Sequence, residues 1–274
     1  MDLLLLLKAA IMGIVEGITE FLPISSTGHL ILASELMNFW TKEKSDVFVI
    51  AIQMGAIAAV IYEYWARLWG AATGIVTGEE KGRRLGIGLI LASIPIVIIG
   101  LTLGQTVKAL LFNDIAIAIG LIVGGLIIIW VERNPPVVRA QEVDDLTIKD
   151  AVWIGLIQVL SLIPGTSRSG ATIIGAMMLG VSRKAATEFS FFLGIPVIVG
   201  AGLLDLYQSY HVFQGATDWA VIAVGLLVSF ISALILIRVL VAYVAKRDFM
   251  IFAWYRIASG LVILLFAFTG WKLW

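Results

Sequence analysis

The sequence predicts an all-α integral membrane protein. It has six transmembrane helices, two re-entrant broken helical hairpins and an inverted-topology internal repeat. Three observations carry this. Of 274 residues, 60% are apolar and only 14% charged, against about 25% charged in ordinary soluble domains. Mean hydropathy is +1.02. The apolar residues form long charge-free runs without strand-like alternation, and only helices or closed barrels satisfy the backbone in lipid. The polar residues gather in two Pro/Gly-containing segments that resemble each other. Nineteen basic and nineteen acidic residues cancel, so charge implies no nucleic-acid partner. The absence of cysteine excludes disulfides and thiolate metal sites. Two histidines, His29 and His211, are too few for multi-histidine zinc chemistry.

In chain order, residues 3–38 form the first broken hairpin: Glu16, Glu20, Pro23, a Ser25-Ser26-Thr27-Gly28 run and His29 interrupt an apolar stretch. Residues 3–15 run directly into Glu16, so no cleavable signal peptide is expected. A span needs about 20 mostly apolar residues. Six such segments follow, near 47–65, 85–103, 114–131, 185–208, 218–243 and 251–272. Residues 150–182, with Pro164, Gly165 and Arg168, form the second broken hairpin. Non-helical backbone at this depth must be buried in protein or line a cavity. Basic residues in the 66–84, 132–149 and 244–250 connections place these in the cytoplasm, and the 104–114 and 209–218 connections outside. The hairpins then enter from opposite faces. Trp40, Trp65, Trp69, Trp271 and Trp274 fit interfacial belts.

The halves align without a gap at an offset of 142 residues. Gly13-Ile14-Val15-Glu16 matches Gly155-Leu156-Ile157-Gln158, Thr19 matches Ser161, and Ser25-Ser26-Thr27-Gly28 matches Ser167-Arg168-Ser169-Gly170. A single membrane domain, 1–274, is therefore expected. It is built from repeats at about 1–131 and 145–274, joined by a cytoplasmic 132–149 loop. Inverted repeats place a shared site near the midplane, where broken half-helices meet.

Glu16 and Glu20 stand four apart on one helix face. Unpaired carboxylates are expensive at this depth. They read either as a snorkelling or protonated pair, or as ligands for Mg²⁺ or Ca²⁺. Ser25, Ser26 and Thr27 can cap the next helix, whose N-terminus also suits phosphate. Ser167 and Ser169 repeat this arrangement. Arg168 either pairs with Glu16 or Glu20, or binds a phosphoryl group and its transition-state charge. His29 lies three residues beyond Ser26 and is either a packing residue or a proton donor and acceptor. Gln158 keeps hydrogen-bonding capacity without the charge of Glu16. Gln53, Glu188 and Asp205 can line or neutralise the cavity, while His211 belongs to an outer loop. Ser26 is the candidate nucleophile, with His29 exchanging its proton. The rival is cation-activated water, with Ser26 holding phosphate.

The stretch from Glu16 through Glu20, Pro23, Ser25, Ser26, Thr27 and Gly28 to His29 resembles the first signature of the undecaprenyl-diphosphate phosphatase family, the bacitracin-resistance proteins. Residues 164–172, with Ser167, Arg168, Ser169 and Thr172, resemble the second, and the resemblance covers essentially the whole chain. It implies hydrolysis of undecaprenyl diphosphate to the monophosphate carrier in the bacterial inner membrane, and raised bacitracin resistance. It also implies catalytic roles for Glu16, Glu20, Ser26, His29 and Arg168. Ser25, Thr27, Gln53, Ser167, Ser169 and Thr172 are expected to bind substrate. A divalent cation, Mg²⁺ or Ca²⁺, is expected at Glu16 and Glu20, and the site is expected to open to the periplasm. The expected partners are a polyprenyl diphosphate and membrane lipid, with a homodimer left open.

A secondary transporter or polyprenyl-phosphate flippase could use the same midplane cavity. A serine beside two carboxylates and a histidine favours hydrolysis, because a carrier needs no nucleophile. A type 2 phosphatidic acid phosphatase would need a second histidine shortly after Ser-Arg, where this chain has Ser169-Gly170-Ala171-Thr172.

Overall fold

A computed structural model of the chain describes residues 2–111, 113–213 and 215–269. Among these, the regular elements are helical: α1 (Leu3–Thr19), α2 (Ser26–Met37), α3 (Lys42–Glu63), α4 (Trp65–Thr77), α5 (Glu80–Leu111), α6 (Asp114–Arg133), α7 (Ile148–Gln158), α8 (Arg168–Met178), α9 (Arg183–Ser209), α10 (Ala216–Val244) and α11 (Met250–Thr269). Six of these (α3, α5, α6, α9, α10 and α11) are long and apolar enough to cross a membrane. They coincide with the six expected spans. The last expected span runs on to 272, and its end lies outside the described residues, as do Trp271 and Trp274.

Two connections differ from expectation. The 66–84 segment is not a loop: most of it is α4, which packs along α5. Its hydropathy is diluted by Arg67 and two glycines, and its 13 residues are too few for a span. The outer 104–114 connection shrinks because α5 stays helical to Leu111. Trp65 and Trp69 stack face to face and are exposed, as a belt requires. Trp40 instead packs against Phe39, Phe48 and Phe213, with the Lys44 ammonium 5.2 Å from its ring.

The helices are apolar on their outer faces, the reverse of a soluble bundle. On α10, Leu227, Ile231, Ile235 and Val239 repeat every fourth residue and are exposed. Its opposite face buries Gly225, Ser229, Ala233 and Ile237. That buried face lies on α1 and α3, while α11 lies on α6. Without a hydrophobic force between helices in lipid, close approach of small residues and polar cross-links does this work. A Cβ on Gly17 would stand 2.6 Å from the Ser229 carbonyl, and Ser232 donates to the Gly13 carbonyl at 3.1 Å.

The 134–147 connection is fastened at its ends. The buried Glu132 carboxylate accepts from Arg183 and from the Phe249 N–H at 2.8 Å, tying α6 to the starts of α9 and α11. Two backbone N–H groups, of Glu142 and Gln141, hold the exposed Asp145 carboxyl below its usual range. Arg139 pairs with Asp150, which also caps α7.

Candidate functional site

Two interruptions separate helices of matching position. Between α1 and α2 lie Glu20–Ser25, and between α7 and α8 lie a 3-10 turn (Val159–Leu162) and residues 163–167. Each ends on a serine with positive φ, Ser25 at 73° and Ser167 at 69°, the pair related by the 142-residue offset. Non-glycine residues there carry strain of about 1–3 kcal/mol and persist where the surroundings over-determine them. Gly165, with φ of 83°, admits no Cβ at all: one would stand 2.2 Å from the Ile117 carbonyl. The two helices therefore start immediately after a tight reversal, and the turns come together. Ser169 Oγ donates to the Leu22 carbonyl at 2.8 Å, and Ser167 and Ser169 hydroxyls are 3.1 Å apart.

Between the turns is a cavity of about 200 Å³. Its polar wall contains Glu20, Ser25, Ser26, Thr27, Gln53, Ser161, Ser167 and Arg168. Its apolar wall contains Ile31, Ile117, Leu162, Ile163 and Ile198. Drug-sized ligands occupy roughly 300–1,000 Å³, so this space accommodates a small polar head group while a long chain must lie beyond the apolar wall.

Glu20 links the two turns. Its Oε2 accepts from Ser26 Oγ at 2.6 Å, and its Oε1 accepts from Arg168 Nη2 at 3.1 Å. Arg168 Nη1 donates to the Ser190 carbonyl at 2.9 Å. The ion pair considered from the sequence is present, yet Arg168 still lines the cavity. Thr172 lies behind the wall, its hydroxyl 2.6 Å from that of Ser190. Ser169 and Thr172 are thus braces rather than lining groups.

His29 is placed differently from the sequence expectation. Its Nδ1 is 2.8 Å from the Ser25 carbonyl and its Nε2 is 2.5 Å from the Tyr255 hydroxyl. A carbonyl only accepts, so Nδ1 carries the proton and Nε2 receives the Tyr255 O–H. The Ser26 hydroxyl donates its hydrogen bond to Glu20 instead. A second correction concerns capping: Ser25 occupies the N-cap of α2 without a side-chain cap bond, whereas the Ser167 hydroxyl accepts from the Gly170 N–H.

Glu16 is fully buried, and neither carboxylate oxygen has a hydrogen-bond partner. Its counterpart Gln158 is equally buried with an unpartnered amide. Among the described residues, no three His, Asp or Glu side chains converge on a metal position. A divalent cation is still compatible with the donor set. Glu16 offers two unengaged hard oxygens, and such ions complete their shells with water and substrate oxygens.

Arg256 and Tyr255, neighbours on α11, escaped the sequence reading because a single arginine inside a span shows nothing of its partners. Arg256 is 1% exposed. It donates to the carbonyls of Pro23 (2.8 Å), Gly165 (2.9 Å), Thr166 (3.0 Å), Gly120 (3.0 Å) and Leu121 (3.3 Å). Burying such a charge costs about 2.5–3.5 kcal/mol on insertion scales, and hydrogen bonds to charged groups return about 1.5–3 kcal/mol each. Gly124 makes the space, since a Cβ there would lie 2.0 Å from Arg256 Nη2.

A family model described as bacitracin resistance protein BacA matches residues 9–262. Undecaprenyl-diphosphatase 1 of Acinetobacter baylyi is 82% identical over 274 residues, covering all of both chains. Undecaprenyl-diphosphatase of a Psychrobacter species is 60% identical, covering 97% of each. Undecaprenyl-diphosphatase 2 of Rhodospirillum rubrum is 52% identical, covering all of this chain and 99% of its own.

Proposed function

The chain belongs to the bacitracin resistance protein BacA family, and we propose that the cavity between its two turns is where it acts on undecaprenyl diphosphate. The protein is an undecaprenyl-diphosphatase, a multi-pass membrane enzyme hydrolysing a polyprenyl diphosphate and returning the monophosphate carrier. The relatives named above are diphosphatases, which does not support the transporter or flippase alternative.

The observation that carries the placement is Glu20, hydrogen-bonded to Ser26 of one turn and Arg168 of the other. In-line phosphoryl transfer needs an oxygen nucleophile, a proton acceptor and neutralised charge. Ser26 Oγ attacks the terminal phosphorus while its proton passes to Glu20 Oε2. The new Ser26 O–P bond forms as the bond to the bridging oxygen breaks, and undecaprenyl phosphate leaves. Water then attacks the phosphoserine phosphorus as its bond to Ser26 Oγ breaks. Oγ takes back the proton held on Glu20 Oε2, and the phosphoryl group leaves as inorganic phosphate carrying the atoms of the attacking water. Arg168 and the free N–H groups at the starts of α2 and α8 hold the phosphate oxygens. His29 supports the Ser25 carbonyl. Glu16 and Glu20 would hold Mg²⁺ or Ca²⁺, which supplies charge neutralisation to the phosphates when bound.

The matching strained serines and the 142-residue offset support an inverted repeat, of about 1–131 and 145–274, with both broken hairpins re-entering the membrane. The basic 132–149 segment supports a cytoplasmic connection. The site then opens to the periplasmic side of the inner membrane.

Phosphate release by purified protein tests this reading. The wild type should be active with Mg²⁺ or Ca²⁺ and silent in EDTA, and Glu16→Gln should lose most activity while still inserting. Full activity after dialysis against EDTA removes the cation. Rapid quenching with substrate labelled at the terminal phosphate should yield a phosphorylated Ser26 peptide. Repeated absence of phosphoenzyme, with inversion at phosphorus, assigns the attack to water instead.

A further inference from the structure

Arg256 does not line the cavity, yet among the described residues it is the one side chain hydrogen-bonded to the backbone of both turns. Its acceptors are the Pro23 carbonyl, two residues before Ser25, and the Gly165 and Thr166 carbonyls, immediately before Ser167. The Gly120 and Leu121 carbonyls of α6 complete the set. No ion pair to a carboxylate is formed by Arg256 among the described residues. Its charge is met by carbonyl dipoles alone. The preceding residue, Tyr255, reaches the first turn a second time through His29 Nε2 and hence the Ser25 carbonyl. Two adjacent residues of α11 thereby fix the aim of Ser25 and Ser26 relative to Ser167 and Arg168.

We propose that Arg256 is a positioning residue, a clamp that joins the two turns so that Ser26 and Arg168 meet the same phosphate. This rests on the cavity being the hydrolytic site. The planar five-donor fork is what spans carbonyls of both turns; a lysine ammonium gathers three donors at one point and reaches only one side. Neither turn alone loses its hydroxyls or its charge when the clamp is removed. Ground-state binding can use one turn, but phosphoryl transfer needs both at once. The expected signature is therefore a fall in kcat that exceeds the rise in KM.

The test has two arms. In unlabelled protein, Arg256→Lys and Arg256→Met are assayed for phosphate release from undecaprenyl diphosphate. A drop in kcat of about tenfold to a hundredfold is expected, as for displacement of reacting groups by about 1 Å. KM should rise much less. In the second arm, the cysteine-free chain receives cysteines at Gly28, in the first turn of α2 just beyond the first interruption, and at Ile163, in the second interruption, and the distance between attached spin labels is measured. The distribution should be narrow with Arg256 and longer or broader with Lys and Met. If the Met variant does not accumulate, the Lys variant decides. Wild-type kcat in the variants, or a loss of kcat with an unchanged distance, overturns the clamp. A wild type that releases no phosphate overturns the hydrolytic reading alone, because the distance measurement needs no substrate.

Discussion

Glu20 does more at the residue scale than its partner Glu16, because it alone is hydrogen-bonded to both turns. Glu20→Gln keeps the shape but removes the proton acceptor for Ser26. General-base contributions are typically 10²–10⁴-fold, so kcat for phosphate release per folded molecule should fall about a hundredfold or more, while loss of the buried charge opposite Arg168 also lowers the melting temperature. A near-wild-type rate would leave Glu20 as a structural charge. Ser25 provides an opposite case. Its φ of 73° is strained and its side chain makes no cap bond. Ser25→Gly should therefore raise thermal stability by up to about 1 kcal/mol, strain relief exceeding the entropy that glycine adds to the unfolded chain, while weakening phosphate binding. A destabilised Ser25→Gly protein would show that the strain is absent. The residue types at these positions were legible in the sequence, and so was their convergence. The partner of Ser26 was not: Ser26 and His29 share helical spacing, but Ser26 Oγ bonds Glu20 because the chain reverses at Pro23. Spacing along a helix cannot anticipate a contact made across a turn.

At the scale of elements, the spans were legible because lipid demands long apolar runs, and the breaks were legible because Pro23, Pro164 and Gly165 interrupt them. α4 was hidden by its brevity and by Arg67. The role of α11 was hidden because Arg256 is satisfied by carbonyls far away in sequence, which leave no charged partner to notice. Glu132 is the comparable knot at the other end of the bundle, joining α6 to the starts of α9 and α11. Removing one member of a buried ion pair costs about 3–5 kcal/mol. Arg183 is 37% exposed, so solvent screening reduces this. Glu132→Ala should lower stability by about 2–3 kcal/mol, read as a lower melting temperature in detergent, with kcat per folded molecule little changed. An unshifted melting temperature would mean that the 134–147 connection holds without it.

For the molecule as a whole, the basic connections predict both termini and the 209–218 segment outside, with 66–84 and 132–149 inside. Because the chain lacks cysteine, a single cysteine at Gly215 should react with impermeant reagents from the periplasmic side. Labelling only from the cytoplasm would invert the orientation and close the periplasmic route to the site. The central claim is that turns from the two halves make one phosphate site through Glu20. A double-mutant cycle of Ser26→Ala and Arg168→Lys, read as kcat/KM for phosphate release from undecaprenyl diphosphate, tests it most directly. Groups that share a network show coupling of about 0.5–3 kcal/mol, whereas independent sites add. Each single variant should be severely impaired, and the double variant should be far less impaired than the product of the two. Losses that simply multiply would contradict a single site shared by both turns.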